Sequence, residues 1–246
     1  MRFFALPFVL ILALAFLVPL TAAIPPARSI PLAASTQRVA LRTEDGVTLA
    51  GSWYEPSSRP APAVILVHML HRSRKDWDGV ASRLASEGIG ALTIDLRGHG
   101  DSQGDTGTDL SSMIRDVRAA RRHLTSRFDV LHTRIGIAGA SIGANLAVLE
   151  ATAEEGIGSL ALLSPSLDYR GLRIEAALRK FGGRPVLLVA GDDDPYALRS
   201  AKDLQKAGGG IRELLVVPGG GHGTNMFGAS PDLQRQLADW FHRTLQ

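Results

Sequence analysis

The stretch that most constrains this chain is residues 135–146, where one apolar run passes through Gly139-Ala140-Ser141-Ile142-Gly143 into another. The first run predicts a buried strand and the second a helix, so G-x-S-x-G forms the turn between them. Such a turn places a serine on a strained bend with its hydroxyl exposed. Gly139 and Gly143 keep side chains away from the place where strand and helix meet. The pattern predicts a nucleophilic Ser141; the alternative is a glycine-rich turn with an ordinary N-cap serine.

The other apolar segments predict the rest of the sheet. Continuous runs predict strands buried on both faces at residues 63–68, 91–96, 159–164, 185–190 and 213–217. Two alternating segments, residues 39–43 and 47–54, predict an antiparallel hairpin. Helical spacing predicts helices at residues 76–87, 108–127, 142–154, 172–181, 196–207 and 231–245. Together they predict an α/β fold with a mostly parallel eight-stranded sheet, two antiparallel N-terminal strands, helices on both faces and no large cap.

The N-terminal residues differ in kind from the rest. Met1-Arg2 precedes an apolar run over residues 3–20, and Thr21-Ala22-Ala23 follows it. This order predicts a signal peptide at residues 1–23, with cleavage after Ala23, and export to the periplasm or the exterior. The alternative is an uncleaved membrane anchor. Residues 24–37 are rich in proline, alanine and serine and predict a flexible leader, which leaves residues 38–246 as the folded domain.

Composition excludes several classes of function. The chain has no cysteine, so it has no disulfides, thiolate zinc site or cysteine nucleophile. Its formal net charge is only +3, and the basic residues are scattered rather than interleaved with aromatic ones, which argues against nucleic-acid binding. His68 and His71 lack an acidic third ligand nearby, so we expect no metal site, and no organic cofactor is required.

A serine nucleophile needs a histidine base, and the histidine needs a carboxylate that fixes its tautomer. In an open α/β sheet these partners lie on loops at the carboxyl ends of later strands. One such loop carries Asp192, Asp193 and Asp194, and the next carries His222 among glycines. We expect His222 to be the base and Asp194, the outermost of the three, to be the acid. Asp192 and Asp193 remain alternatives, and their other expected role is to cap the following helix.

Two backbone N–H groups should hold the oxyanion. Ile142 supplies one, because it follows the nucleophile at the start of a helix. Leu70, on the loop after the first buried strand, is expected to supply the other, with Met69 as the alternative. His68, at the end of that strand, is expected to be structural, its ring bonding to nearby backbone.

Four stretches now identify a resemblance, which covers about residues 38–245. They are residues 66–70 with Asp76-Trp77, residues 95–102, residues 139–143, and the loops of Asp194 and His222. In this order they resemble the α/β-hydrolase superfamily, and most of all its small dienelactone-hydrolase-like and serine-aminopeptidase-like members. The resemblance supports Asp194 as the acid. The chain departs from the family at Met69, where a glycine is usual, and from dienelactone hydrolase in lacking its cysteine.

The short segment between residues 164 and 185 leaves no room for a large lid, which favours small or accessible acyl esters. We therefore expect a carboxylesterase-like serine hydrolase (EC 3.1.1 class) that acts on a small-molecule ester through an acyl-enzyme. The alternatives are an exported serine peptidase or amidase and a non-catalytic binding protein. Five basic residues of this segment either favour anionic substrates or form a solvated helix face: Arg170, Arg173, Arg179, Lys180 and Arg184.

Overall fold

The computed structural model describes residues 1, 35–107, 110–153 and 156–245. These residues form eight strands of one sheet and a separate two-stranded hairpin. The sheet strands are β1 (Thr36–Arg42), β2 (Thr48–Tyr54), β3 (Ala61–Val67), β4 (Gly90–Ile94), β5 (Val130–Ala140), β6 (Ile157–Leu163), β9 (Val186–Gly191) and β10 (Arg212–Val217). The hairpin strands are β7 (Asp168–Tyr169) and β8 (Leu172–Arg173).

The order of the sheet is β1-β2-β4-β3-β5-β6-β9-β10. β1 and β2 pair antiparallel to each other, β2 pairs antiparallel to β4, and the remaining neighbours are parallel, which confirms the predicted fold class. The register aligns the carboxyl ends of the parallel strands: Ala140 pairs with Leu163, and Leu163 with Val189. The loops that follow these strands therefore all leave the sheet on the same side, at the carboxyl ends of the strands.

Helices cover both faces of the sheet. They are α1 (Asp78–Ser86), α2 (Ile114–Thr125), α3 (Ile142–Ala153), α4 (Glu175–Phe181), α5 (Pro195–Gln205), α6 (Met226–Ala229) and α7 (Leu233–Thr244). The core around α2, α3, α4 and α5 lies on one face, and the core around α1 and α7 lies on the other. Two apolar layers explain why strands such as β3 and β9 are apolar at every position rather than at alternate ones.

Several boundaries differ from the prediction. The helix predicted over residues 172–181 is wrong at its start, because residues 172–173 form β8 and the helix begins at Glu175. The helices predicted from residues 76 and 108 open as 3₁₀ turns, Arg74–Trp77 and Leu110–Met113, and residues 108–109 lie outside the described residues. β1 begins at Thr36, two residues before the predicted start of the domain.

The predicted signal peptide lies outside the described residues apart from Met1, and so does the leader up to residue 34. Within the residues that the structure describes, none of the helices combines the length and the apolar character needed to cross a bilayer.

Candidate active site

Ser141 lies on the sharp turn between β5 and α3, as the sequence predicts. Its backbone φ is 53°, a left-handed conformation that costs a non-glycine residue energy. A Cβ on Gly139 would collide with the carbonyl of Gly143, and a Cβ on Gly143 would lie 2.5 Å from the Val67 oxygen. The two glycines therefore permit the close approach of α3 to the sheet. The Ser141 side chain sits at the start of α3, at the carboxyl edge of the sheet.

The structure brings Ser141, His222 and Asp194 together, although they come from three separate loops. His222 Nε2 lies 2.8 Å from Ser141 Oγ, and His222 Nδ1 lies 2.5 Å from Asp194 Oδ2. An ionised carboxylate only accepts hydrogen bonds, so Nδ1 carries the ring proton of neutral His222. Nε2 is then the acceptor that faces the Ser141 hydroxyl. The His222 side chain is 47% exposed, so this array opens to solvent.

Asp194 uses its two oxygens for two purposes. Oδ2 accepts from His222, while Oδ1 accepts from the N–H of Ala197 at 3.2 Å and caps α5. The positive end of the helix dipole favours a negative charge at this position. The expected capping role of Asp192 and Asp193 is therefore wrong, since Asp194 is the N-cap.

Asp192 and Asp193 instead bond to the loop that carries His222. Asp192 Oδ1 accepts from the N–H of Gly219, and Asp193 Oδ1 accepts from the N–H of Gly221, each at 2.7 Å. Of the three neighbouring carboxylates, it is that of Asp194 which accepts from the His222 ring.

Two further contacts on this loop involve residues that sequence reasoning missed. Ser164 Oγ accepts from the N–H of Gly223 at 2.9 Å, and Thr224 Oγ1 donates to Asp76 Oδ2 at 2.5 Å. No local pattern marks either residue, because both partners are distant in sequence. The one available signal was the run of glycines, whose N–H groups need acceptors somewhere.

His68 is fully buried and bonds to backbone on both sides, as predicted. The N–H of Leu96 donates to Nε2 at 2.9 Å, so Nδ1 carries the proton and donates to the Met69 oxygen at 2.7 Å. Burial is the main reason that the pKa of His68 falls to about 4, which keeps the ring neutral. The Met69 oxygen also accepts from the N–H of Arg72 at 3.2 Å. These two hydrogen bonds fix the orientation of the Met69–Leu70 peptide.

In a trans peptide the N–H points opposite to the C=O, so the Leu70 N–H is directed away from His68. Ile142, the first residue of α3, has an N–H without an intrahelical acceptor. Within the described ranges, neither the Leu70 N–H nor the Ile142 N–H donates to a protein group. Both N–H groups are thus without a protein acceptor among the described residues, as the predicted oxyanion role requires.

A short cover follows β6 and consists of the β7–β8 hairpin and α4. Asn145, buried on α3, donates to the oxygens of Ser166 and Leu172, each at 2.8 Å, and so ties the hairpin to the nucleophile helix. The Tyr196 hydroxyl lies 3.0 Å from Ser166 Oγ and joins the cover to α5. Sequence reasoning missed both anchors. An asparagine inside an apolar helix was the available signal, because a buried amide needs partners.

The basic residues of the cover are largely engaged. Arg173 pairs with Asp168 at 2.8 Å and Arg179 with Glu175 at 2.5 Å. Arg184 stacks on Phe181, with its guanidinium 3.8 Å from the ring centre. These contacts support the interpretation of a solvated, paired surface rather than a cationic rim.

Comparisons with known proteins agree with this fold. The family model described as serine aminopeptidase, S33, matches residues 58–185, 128 of the 246 residues; they include Ser141 but neither Asp194 nor His222. An uncharacterized protein of Mycobacterium tuberculosis (strain ATCC 25618 / H37Rv) is 30% identical over 222 residues, which cover 80% of this chain and 78% of that protein.

Two solved structures show the same fold at lower identity. Dienelactone hydrolase from Anabaena variabilis has a TM-score of 0.75 and 22% identity, over 87% of this chain and all (100%) of that chain. The Pyrococcus furiosus esterase Pf2001 has a TM-score of 0.70 and 21% identity, over 87% of this chain and 92% of that chain. With the nucleophile turn and the sheet order in place, the chain belongs to the α/β-hydrolase superfamily, in the family described as serine aminopeptidase, S33.

Proposed function

We propose that this protein is a serine hydrolase of the carboxylesterase type that cleaves small or accessible acyl esters through an acyl-enzyme. The observation that carries the proposal is the continuous chain of hydrogen bonds from Asp194 through His222 to Ser141. Those groups have the roles that acyl transfer needs: a carboxylate that fixes the tautomer, a base and a nucleophile.

In the first step Ser141 Oγ attacks the ester carbonyl while His222 Nε2 takes the hydroxyl proton. Asp194 stabilises the imidazolium that forms. The carbonyl oxygen gains negative charge and lies against the N–H groups of Ile142 and Leu70, which are held in place before the substrate arrives. His222 then protonates the leaving alcohol, and Ser141 remains acylated.

In the second step water takes the place of the alcohol and attacks the acyl carbon while His222 takes its proton. The bond from that carbon to Ser141 Oγ breaks, the acid leaves, and His222 returns the proton to Oγ. The half-exposed His222 ring supports hydrolysis, because water can reach Nε2 and lose its proton there. The short cover supports small or accessible substrates over long chains enclosed by a lid. The Pyrococcus furiosus protein that shares this fold is an esterase, which agrees with this assignment.

The test is a comparison of wild type with Ser141→Ala on p-nitrophenyl esters of increasing chain length, together with labelling by a fluorophosphonate. Wild type should turn over the short esters and be labelled, and Ser141→Ala should do neither. Ser86→Ala, which removes an exposed hydroxyl on α1, is the matched control and should behave like wild type. Labelling that survives in Ser141→Ala would refute the assignment.

A peptidase or amidase activity on the same residues is the second candidate, favoured by the description of the family as a serine aminopeptidase. Cleavage of an amide requires efficient protonation of a poor leaving group by His222. Hydrolysis of p-nitroanilides at rates close to those of the matching esters would favour this candidate.

Export is the remaining part of the proposal and depends on residues 1–23 of the sequence. N-terminal sequencing of protein from a host that secretes it should begin at Ile24. An intact Met1 on protein that stays in the membrane fraction would favour the uncleaved anchor.

A further inference from the structure

The loop that carries His222 contains four glycines, and three of them have positive φ: Gly219 at 57°, Gly221 at 66° and Gly223 at 60°. Glycine has the largest conformational freedom of any residue, so such a loop loses much entropy when it is ordered. His222 must nevertheless stay within hydrogen-bond distance of Ser141. Some other part of the molecule has to hold the loop.

Side chains supply this restraint at each positive-φ glycine. The N–H groups of Gly219 and Gly221 donate to Asp192 and Asp193 at 2.7 Å, and the N–H of Gly223 donates to Ser164 at 2.9 Å. Gly221 directly precedes His222, and Gly223 directly follows it. The residue that carries the base is therefore held from both sides.

We propose that Ser164 and Asp193 are positioning residues for His222. Ser164 is buried, and its own N–H donates to the Val189 oxygen of β9 at 2.7 Å. β9 is also the strand that leads into the loop of Asp193 and Asp194. The acid Asp194 and the base His222 are therefore both anchored to β9, the first through its own loop and the second through Ser164. β9 and the neighbouring β6 thus fix the distance between them.

The adjacent residues Asp193 and Asp194 then need different chemical properties. Asp194 needs its charge, because it stabilises an imidazolium. Asp193 needs only an acceptor oxygen for a backbone N–H, and the side-chain carbonyl of asparagine provides one. An Asp→Asn change should therefore be tolerated at position 193 and not at position 194.

The test rests on the proposed function and uses kcat and KM for p-nitrophenyl acetate in the full chain. Asp193→Ala should lower kcat on the order of 10- to 100-fold, the effect of a small misplacement of a catalytic group. KM should stay within about twofold because the substrate contacts are unchanged. Asp193→Asn should recover most of the lost kcat, whereas Asp194→Asn should lose about 10⁴-fold. Ser164→Ala should follow Asp193→Ala.

Ser159→Ala is the matched control for Ser164→Ala. Ser159 is also buried and lies on β6, the strand that Ser164 directly follows, but its hydroxyl bonds to that of Thr244. It should leave kcat at the wild-type value. Because Asp193 is exposed, its variants should fold even where Ser164→Ala does not.

If Ser141→Ala is inactive but Asp193→Ala keeps the wild-type kcat, the inference is overturned. A loss in Asp193→Asn as large as in Asp193→Ala would also overturn it, since charge rather than an acceptor would then matter. Activity that persists in Ser141→Ala would instead refute the proposed function on which the inference rests.

Discussion

Replacing His68 by glutamine should remove a defined part of the acid sensitivity of the fold. His68 is fully buried and neutral, with Leu96 donating to Nε2 and Nδ1 donating to Met69. Burial holds its pKa at about 4, against 6.5 for an exposed histidine. The unfolded chain therefore binds a proton in a pH range where the folded chain does not.

The sign and size follow from these two values. As pH falls from about 6.5 towards 4, the unfolded state gains protons first, so the free energy of unfolding decreases. At about 1.36 kcal/mol per pKa unit, the interval from 6.5 to about 4 gives a full loss of about 3.4 kcal/mol. About 2.5 kcal/mol of this loss is reached at pH 4.5.

The assay is urea unfolding of wild type and His68→Gln at pH 7.5 and 4.5. The variant should be less stable at pH 7.5, because it loses hydrogen bonds of the ring. Its further decrease at pH 4.5 should be smaller than that of wild type by about 2.5 kcal/mol. The hydrogen bond from Arg127 lowers the pKa of Asp129, and this carboxylate contributes equally to the acid sensitivity of both proteins. His132→Gln, which changes an exposed histidine, should keep the wild-type decrease.

An equal decrease in wild type and His68→Gln would refute the reasoning. If the variant does not fold, ¹⁵N NMR of the wild-type ring decides the question. The Nδ1–H of His68 should persist, and the ring should show no titration between pH 7.5 and 5.5. A ring that titrates near pH 6.5 would refute the argument without any variant.

Three further predictions concern stability and the cover. Gly143→Ala should lower the free energy of unfolding by about 1–3 kcal/mol and reduce kcat, because its Cβ would lie 2.5 Å from the Val67 oxygen. Gly228→Ala is the control, because there is open space around Gly228. It should change neither quantity in the same urea-unfolding and ester-hydrolysis assays. Asp116→Ala should cost about 3 kcal/mol in urea unfolding, because the buried Arg97 loses its buried partner and keeps only the partly exposed Asp45. Asn145→Leu should lower unfolding free energy by about 1–3 kcal/mol and raise KM, since it releases the cover. Unchanged values in any of these variants would contradict the corresponding contact.

The sequence was sufficient to predict the features that depend on local pattern and topology. β3 and β9 are apolar at consecutive positions because helices cover both of their faces, and that pattern is visible without a structure. The order of Ser141, Asp194 and His222 follows from where parallel strands end. The turn at Ser141 is encoded by two glycines whose spacing is itself local.

Features that depend on long-range contacts were not predictable. β8 resembles the start of a helix in sequence, but pairing with β7 and the amide of Asn145 hold it extended. β5 begins at Val130, five residues before the apolar run. The prediction missed this part of the strand because its exposed residues, such as His132, resemble a loop in sequence. The role of Ser164 depends on a hydrogen bond between residues 59 apart. Local propensity has no access to such partners.

The sheet order also determines how the protein can lose activity. Ser141 follows β5, which has a strand on each side, whereas His222 follows β10, whose one neighbour among the described residues is β9. Local unfolding is least costly where a strand has one neighbour, so β10 can detach while the other strands stay paired. Amide hydrogen exchange should therefore be fastest in β10 among the parallel strands. On heating, activity should be lost when β10 detaches, at a lower temperature than that at which the whole chain unfolds.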